Sequence, residues 1–85
     1  MNHKITVRTH SGELRFFIID PKADISRQLA AVHGSTPGHG IDYQMTGREI
    51  QVIDYFCGEV MFAHTILSVE DTEESVSLQW HKLTE

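Results

Sequence analysis

Six of the 85 residues are histidines: His3, His10, His33, His39, His64 and His81. Histidine titrates near neutral pH and is the commonest metal ligand, so this surplus is the first place to look for chemistry. The spacings that make a metal site legible are missing. There is no His-Glu-x-x-His, no pair of histidines four apart on a helix, and no Cys-x-x-Cys. His33 and His39 lie at the two ends of a glycine-rich stretch and could meet across it. His3 and His81 would be neighbours if the first and last strands pair. The expectation is histidines scattered over strands and surface, with no metal and no cofactor.

Cys57 and His64 invite a thiol-nucleophile reading, which needs hydrogen-bond reach between them and a third group to orient the imidazole. Cys57 falls in a predicted turn, His64 lies well up the next strand, and Asp54 bears no fixed relation to either. Gly34-Ser-Thr-Pro-Gly-His-Gly40 lacks the Gly-Lys-Ser/Thr ending of a phosphate loop and follows a helix where such loops precede one. It reads as a connection, with Thr36 and His39 as its candidate contact residues. The carboxylates cluster along the chain and do not pair as hydrolytic acids do. A chain this short also has little room for a cavity, so the sequence predicts a protein that is not an enzyme.

The elements that must position these residues follow from hydrophobic periodicity. Ile5, Val7, Leu14, Phe16 and Ile18 alternate with polar residues about Ser11-Gly12, the pattern of a hairpin with a two-residue turn. That register pairs Val7 with Phe16 and Ile5 with Ile18, and sets Arg8 opposite Arg15. A short helix follows. Asp20-Pro21 reads as its N-cap and first residue, with Asp24 as the alternative cap. Ile25, Leu29 and Val32 form one apolar stripe, and Gly34 stops the helix. Ile41, Tyr43, Met45, Ile50 and Val52 share a face across a Gly47-Arg48 turn. Cys57-Gly58 marks the next turn, then Val60–Leu67 forms a strand and an acidic connection follows. Val76, Leu78 and Trp80 alternate in the last strand.

The order is β-β-α-β-β-β(-β) in a single domain spanning 1–85: one short helix packed on a mainly antiparallel sheet, an α+β fold. From Lys4 to Arg48 the sequence of hairpin, Asp-Pro, helix, loop, strand and Gly-Arg turn resembles the opening of a β-grasp, the ubiquitin-like arrangement. The likeness is one of fold, and the Lys-Leu-Thr-Glu ending is not the diglycine of the conjugated modifiers. It implies no function. The alternative architecture is a small barrel.

Seven basic and twelve acidic residues give a formal charge of −5. Residues 1–48 carry a net +2 and residues 49–85 a net −7, a dipolar distribution that orients a molecule against a charged partner. An acidic chain is a poor neutraliser of phosphates, which disfavours nucleic acid as partner. With one cysteine, no apolar run of membrane-spanning length and no signal-peptide pattern, the expectation is a cytoplasmic protein.

The remaining signal is a surplus of apolar residues. Phe17 and Ile19 oppose the Phe16/Ile18 parity, Ile53 and Tyr55 oppose Ile50 and Val52, and one short helix covers only part of one sheet face. The functional expectation is therefore a small non-catalytic protein-binding module and homodimer, in the manner of the accessory or inhibitory proteins of phages and plasmids. Its predicted interface carries Phe17, Ile19, Ile53 and Tyr55, with Arg8 and Arg15 as a basic spot. Glu70, Asp71, Glu73 and Glu74 supply an acidic one. The alternatives are a nucleic-acid module using Lys4, Arg8, His10, Arg15 and Phe17, and a histidine-based metal protein or enzyme.

Overall fold

A computed structural model describes residues 1–36 and 40–83. It contains six strands and one helix: β1 (Asn2–Arg8), β2 (Leu14–Ile19), α1 (Ile25–Val32), β3 (Ile41–Met45), β4 (Glu49–Asp54), β5 (Val60–Thr72) and β6 (Ser77–Lys82). The strands form one sheet in the order β3-β4-β5-β1-β2-β6. All five pairings are antiparallel. The hairpin–helix–strand opening thus leads to β3 at the far edge of the sheet, and β1 lies between β2 and β5.

The β1–β2 register corrects the sequence-based one. Ile5 faces Phe17, Val7 faces Arg15 and Arg8 faces Leu14. The cause is the turn. Thr9 N donates to Glu13 O at 2.8 Å and Gly12 N to Thr9 O at 2.8 Å, so the loop is His10-Ser11-Gly12. Three-residue hairpin loops of this kind place their last residue at positive φ, and Gly12 stands at +89°. One extra loop residue shifts every side chain of β2 to the other face. Phe17 and Ile19 therefore join Ile5 and Val7 in the core, all fully buried. Arg8 and Arg15 are not opposite one another.

The helix begins at the alternative cap. Asp24 Oδ1 accepts from Arg27 N at 3.1 Å, while Asp20 and Pro21 form a turn before it. The connection is fixed by Gln28, a buried amide that accepts from Asp20 N and donates to Asp20 O, both at 2.8 Å. At the other end Gly34, at φ +73°, donates to Ala31 O and Ser35 N donates to Ala30 O. These two bonds satisfy carbonyls the helix cannot satisfy itself.

A helix of eight residues does not persist alone and must be held by packing. Here α1 packs on β3 and β6, the two edge strands, and on β2. The sheet curls into a half-barrel and the helix bridges its opening. Leu29, Ala30 and Val32 then meet Phe17, Tyr43, Ile50 and Val52 in one core. The curl answers the question of how one helix covers so much apolar sheet: the concave face covers itself. The β3–β4 pairing agrees with the sequence pattern, with Tyr43 opposite Val52 and Met45 opposite Ile50.

Two further expectations are corrected. The first and last strands are separated by β2, so His3 and His81 are not strand neighbours. β5 extends to Thr72, so Glu70 and Asp71 are strand residues and not part of a loop. Among the described residues no helix is long and apolar enough to cross a membrane.

Candidate functional site

At one mouth of the half-barrel three histidines that are far apart in sequence converge. His64, on β5, points into the interior and is 3% exposed. His33 is the residue that caps α1 at its C-terminus. His10 sits in the β1–β2 loop, directly above them. The ring centroids of His33 and His64 are 5.2 Å apart and those of His10 and His64 5.4 Å.

The hydrogen bonds fix the tautomers. His10 N–H donates to His64 Nδ1 at 3.0 Å, so that nitrogen carries a lone pair. Leu29 O lies 2.7 Å from His33 Nδ1, which must carry the hydrogen. His64 Nε2 and His33 Nε2 are 3.0 Å apart. One arrangement satisfies every group: neutral His64 donates from Nε2 to the lone pair of neutral His33. The result is a one-way chain, His10 N–H to His64 to His33 to Leu29 O.

A proton added to either ring would set two donors face to face, or remove the acceptor that holds His10 N–H. Burial acts in the same direction. Desolvation, then the charges His33 and His10 would carry, pushes His64 down to about 4. His33 is also lowered, chiefly by desolvation and to a lesser extent by His10, with its bond to Leu29 opposing.

Aromatic rings enclose the chain. Trp80 meets Phe17, His33 and His64 edge-on at 5.5, 5.1 and 5.3 Å. His10 stacks over Phe62 at 4.2 Å, and Tyr43 lies 4.6 Å from His33. An open, mostly apolar pocket of about 220 Å³ remains between Phe62, Trp80 and the β1–β2 loop. At its rim Arg15 donates to Glu13 Oε2 at 2.7 Å and to Leu14 O at 2.8 Å. Ser11 Oγ donates to Glu13 Oε1 at 3.3 Å. Among the described residues no three metal-ligating side chains converge as a metal site.

The sequence-predicted interface does not assemble as one face. Phe17 and Ile19 are interior. Ile53 is half-buried on the outer face, opposite Val60 and Asp42. Tyr55 is exposed in the β4–β5 turn. Arg8 is exposed on the outer face, while Arg15 is held by Glu13 at the pocket rim. Lys4 lies with its Nζ 4.5 Å from the Phe16 ring centroid. These cations therefore do not form one stripe. Glu70, Asp71, Glu73 and Glu74 are exposed together at the far end of the sheet, and Thr36 is exposed after the helix. His39 lies outside the described residues. Cys57 is exposed in the β4–β5 turn, and both ring nitrogens of His64 are hydrogen-bonded to other groups, His10 N and His33 Nε2.

One surface is larger than the sequence pattern, which names only Tyr55 of it, indicates. The tip of the β4–β5 hairpin presents Tyr55, Phe56, Val60 and Met61, exposed by 59, 84, 50 and 52%. Tyr55 and Phe56 stand edge-to-face at 5.7 Å, and Tyr55 N–H donates to Gly40 O at 3.0 Å. The turn is well made: Asp54 Oδ1 accepts from Phe56 N at 2.9 Å, and Gly58 sits at φ +74°. The available signal was a run of large apolar side chains on either side of Cys57-Gly58, where turns are ordinarily polar.

Comparison with protein families, with curated proteins and with solved structures gives no match.

Proposed function

We propose that this chain is a non-catalytic protein-binding module that presents the β4–β5 hairpin tip to a partner. The observation that carries this reading is the exposure of Tyr55 and Phe56 in the turn and of Val60 and Met61 at the start of β5. Exposed apolar side chains gain the energy of leaving water when a partner supplies a pocket. Aromatic residues and methionine are the residue types enriched at the centres of such contacts. Asp54 and Glu59 flank the tip, so the complementary pocket has a basic rim.

Two observations weigh against catalysis as the main role. Both ring nitrogens of His33 and of His64 are engaged within the chain. The Glu13 carboxylate at the pocket rim is engaged by Arg15 and Ser11. Phe17 and Ile19 lie inside the half-barrel and are not available to the homodimer expected from surplus apolar surface; the partner proposed for the tip is a different chain.

The lone cysteine makes the test direct, since Cys57 is exposed within the tip. A photo-crosslinker attached at Cys57 should yield defined adducts in an extract of the native source. Tyr55→Ser with Phe56→Ser should abolish them, while Arg15→Glu should leave them. Adducts that persist unchanged in the tip variant would overturn the reading.

A further inference from the structure

The two halves of β5 have different neighbours. Its first half, from Val60 to Thr65, pairs with β4, and its second, from Thr65 to Thr72, with β1. Pairing with β4 ends where Glu49 faces Thr65, and Ile66 N–H donates to Arg48 O just beyond. Pairing with β1 continues to Thr72, opposite Asn2. Among the described residues Leu67–Thr72 therefore has a strand on one side alone. A strand edge of this kind leaves alternate N–H and C=O groups directed outward, a template for another extended chain.

We propose that this open half of β5 receives an extended, cationic segment of another protein as an added strand. Side chains on the edge define what fits. Leu67 and Val69 are 47 and 49% exposed. Val69 shares a face with Ile5, while Glu70 lies on the opposite face across from Lys4. Alternation along the incoming strand thus sets apolar residues beside Val69 and basic ones beside Glu70. Lys4 does not answer Glu70, because its ammonium leans over Phe16. Asp71 meets His3 at 3.1 Å, and Glu73 and Glu74 extend the acidic surface beyond the strand.

The same carboxylates select against a second copy. Antiparallel pairing of this edge with itself would bring the Glu70 side chains of two chains close together between two segments of the same negative charge, and like charges across strands repel. A basic strand converts that repulsion into attraction. This surface is separate from the hairpin tip and stands whether or not the tip binds.

The test uses the full chain, labelled with ¹⁵N, and a capped synthetic peptide, Lys-Val-Lys-Val-Lys-Val-Lys. Saturable amide shifts should appear over Leu67–Thr72. Replacing the three valines by proline keeps the charge and removes strand pairing, and should weaken binding at least tenfold. Replacing the lysines by glutamate should abolish it, and Glu73→Lys with Glu74→Lys in the protein should weaken it severalfold. The Tyr55→Ser, Phe56→Ser variant should bind the peptide as the wild type does, which separates this surface from the tip. Absence of saturable shifts, shifts centred elsewhere, or equal binding of the proline peptide would overturn the proposal. In the first case the acidic edge serves only to keep copies apart.

Discussion

Two hairpin ends in this molecule are built in opposite ways. The β1–β2 loop is polar and is tied inward: its His10 N–H is held by a buried imidazole, and Glu13 beside it is bound by Arg15 and Ser11. Among the described residues the β4–β5 tip is tied by backbone hydrogen bonds only to itself and to Gly40, and it carries its apolar side chains outward. The first end closes the half-barrel mouth. The second contributes little to the core and is free to contact something else. A polar loop can thus be tied into the fold and an apolar one left in water, the reverse of what composition suggests.

The largest expected effect lies beneath the tied loop. Trp80→Ala removes the ring that packs on Phe17, His33 and His64, and should destabilise the fold by about 3–4 kcal/mol in denaturant unfolding. A change within experimental error would make this mouth as dispensable as the tip.

Acid should act on the tied loop next. His64 is held near 4 in the fold and titrates near 6.5 when unfolded, so below about 6.5 the unfolded chain binds more protons. Stability is full above that pH and falls as pH drops toward about 4, by on the order of 2–3 kcal/mol. His33, lowered in the same direction, adds to the loss. Unfolding midpoints from pH 7.5 to 4 measure this slope, and His64→Gln should flatten it. A wild-type profile already flat over that range would mean that the chain of neutral rings does not hold the loop.

A smaller effect belongs to the loop's rim. Arg15→Glu should replace the Glu13–Arg15 pair with repulsion and lower stability by about 0.5–1 kcal/mol, more weakly at high salt. The smallest belongs to the free tip: Phe56→Ser should alter stability by less than about 0.5 kcal/mol, because the ring is already in water. A larger loss would place Phe56 in the fold and erase the contrast between the two ends.

Local patterns made some of this fold legible and long-range ones did not. Tyr43, Met45, Ile50 and Val52 alternate cleanly, and their hairpin agrees residue for residue with the structure. Leu14–Ile19 is apolar on both parities, so its pattern is compatible with either register; loop length decided it, and Gly12 fits both a two- and a three-residue turn. The helix start was ambiguous because Asp20 and Asp24 are both good caps, and only tertiary packing selects the second. The curl of the sheet answers to the small-barrel alternative, which apolar residues on both strand parities suggest; on an open sheet the same parities make Phe17 and Ile19 look like surplus. The histidine site was illegible. His10, His33 and His64 come from a loop, a helix end and a strand, and no spacing rule connects them.

The placement of β1 has a consequence for how the chain reaches this state. β1 is made first, yet one of its two neighbours is β5, and Ile5 meets Val69 sixty-four positions later. A chain emerging from the ribosome can form its local hairpins, β1–β2 and β3–β4; the β1–β5 seam must wait until β5 is made. Closing so long a loop is entropically expensive before any contact rewards it, and proteins dominated by such pairings fold in milliseconds to seconds. During that interval the apolar face of the hairpin, with Phe17 and Ile19, is uncovered. The molecule's exposure to misassembly is therefore a matter of timing, concentrated between synthesis of its second strand and its fifth.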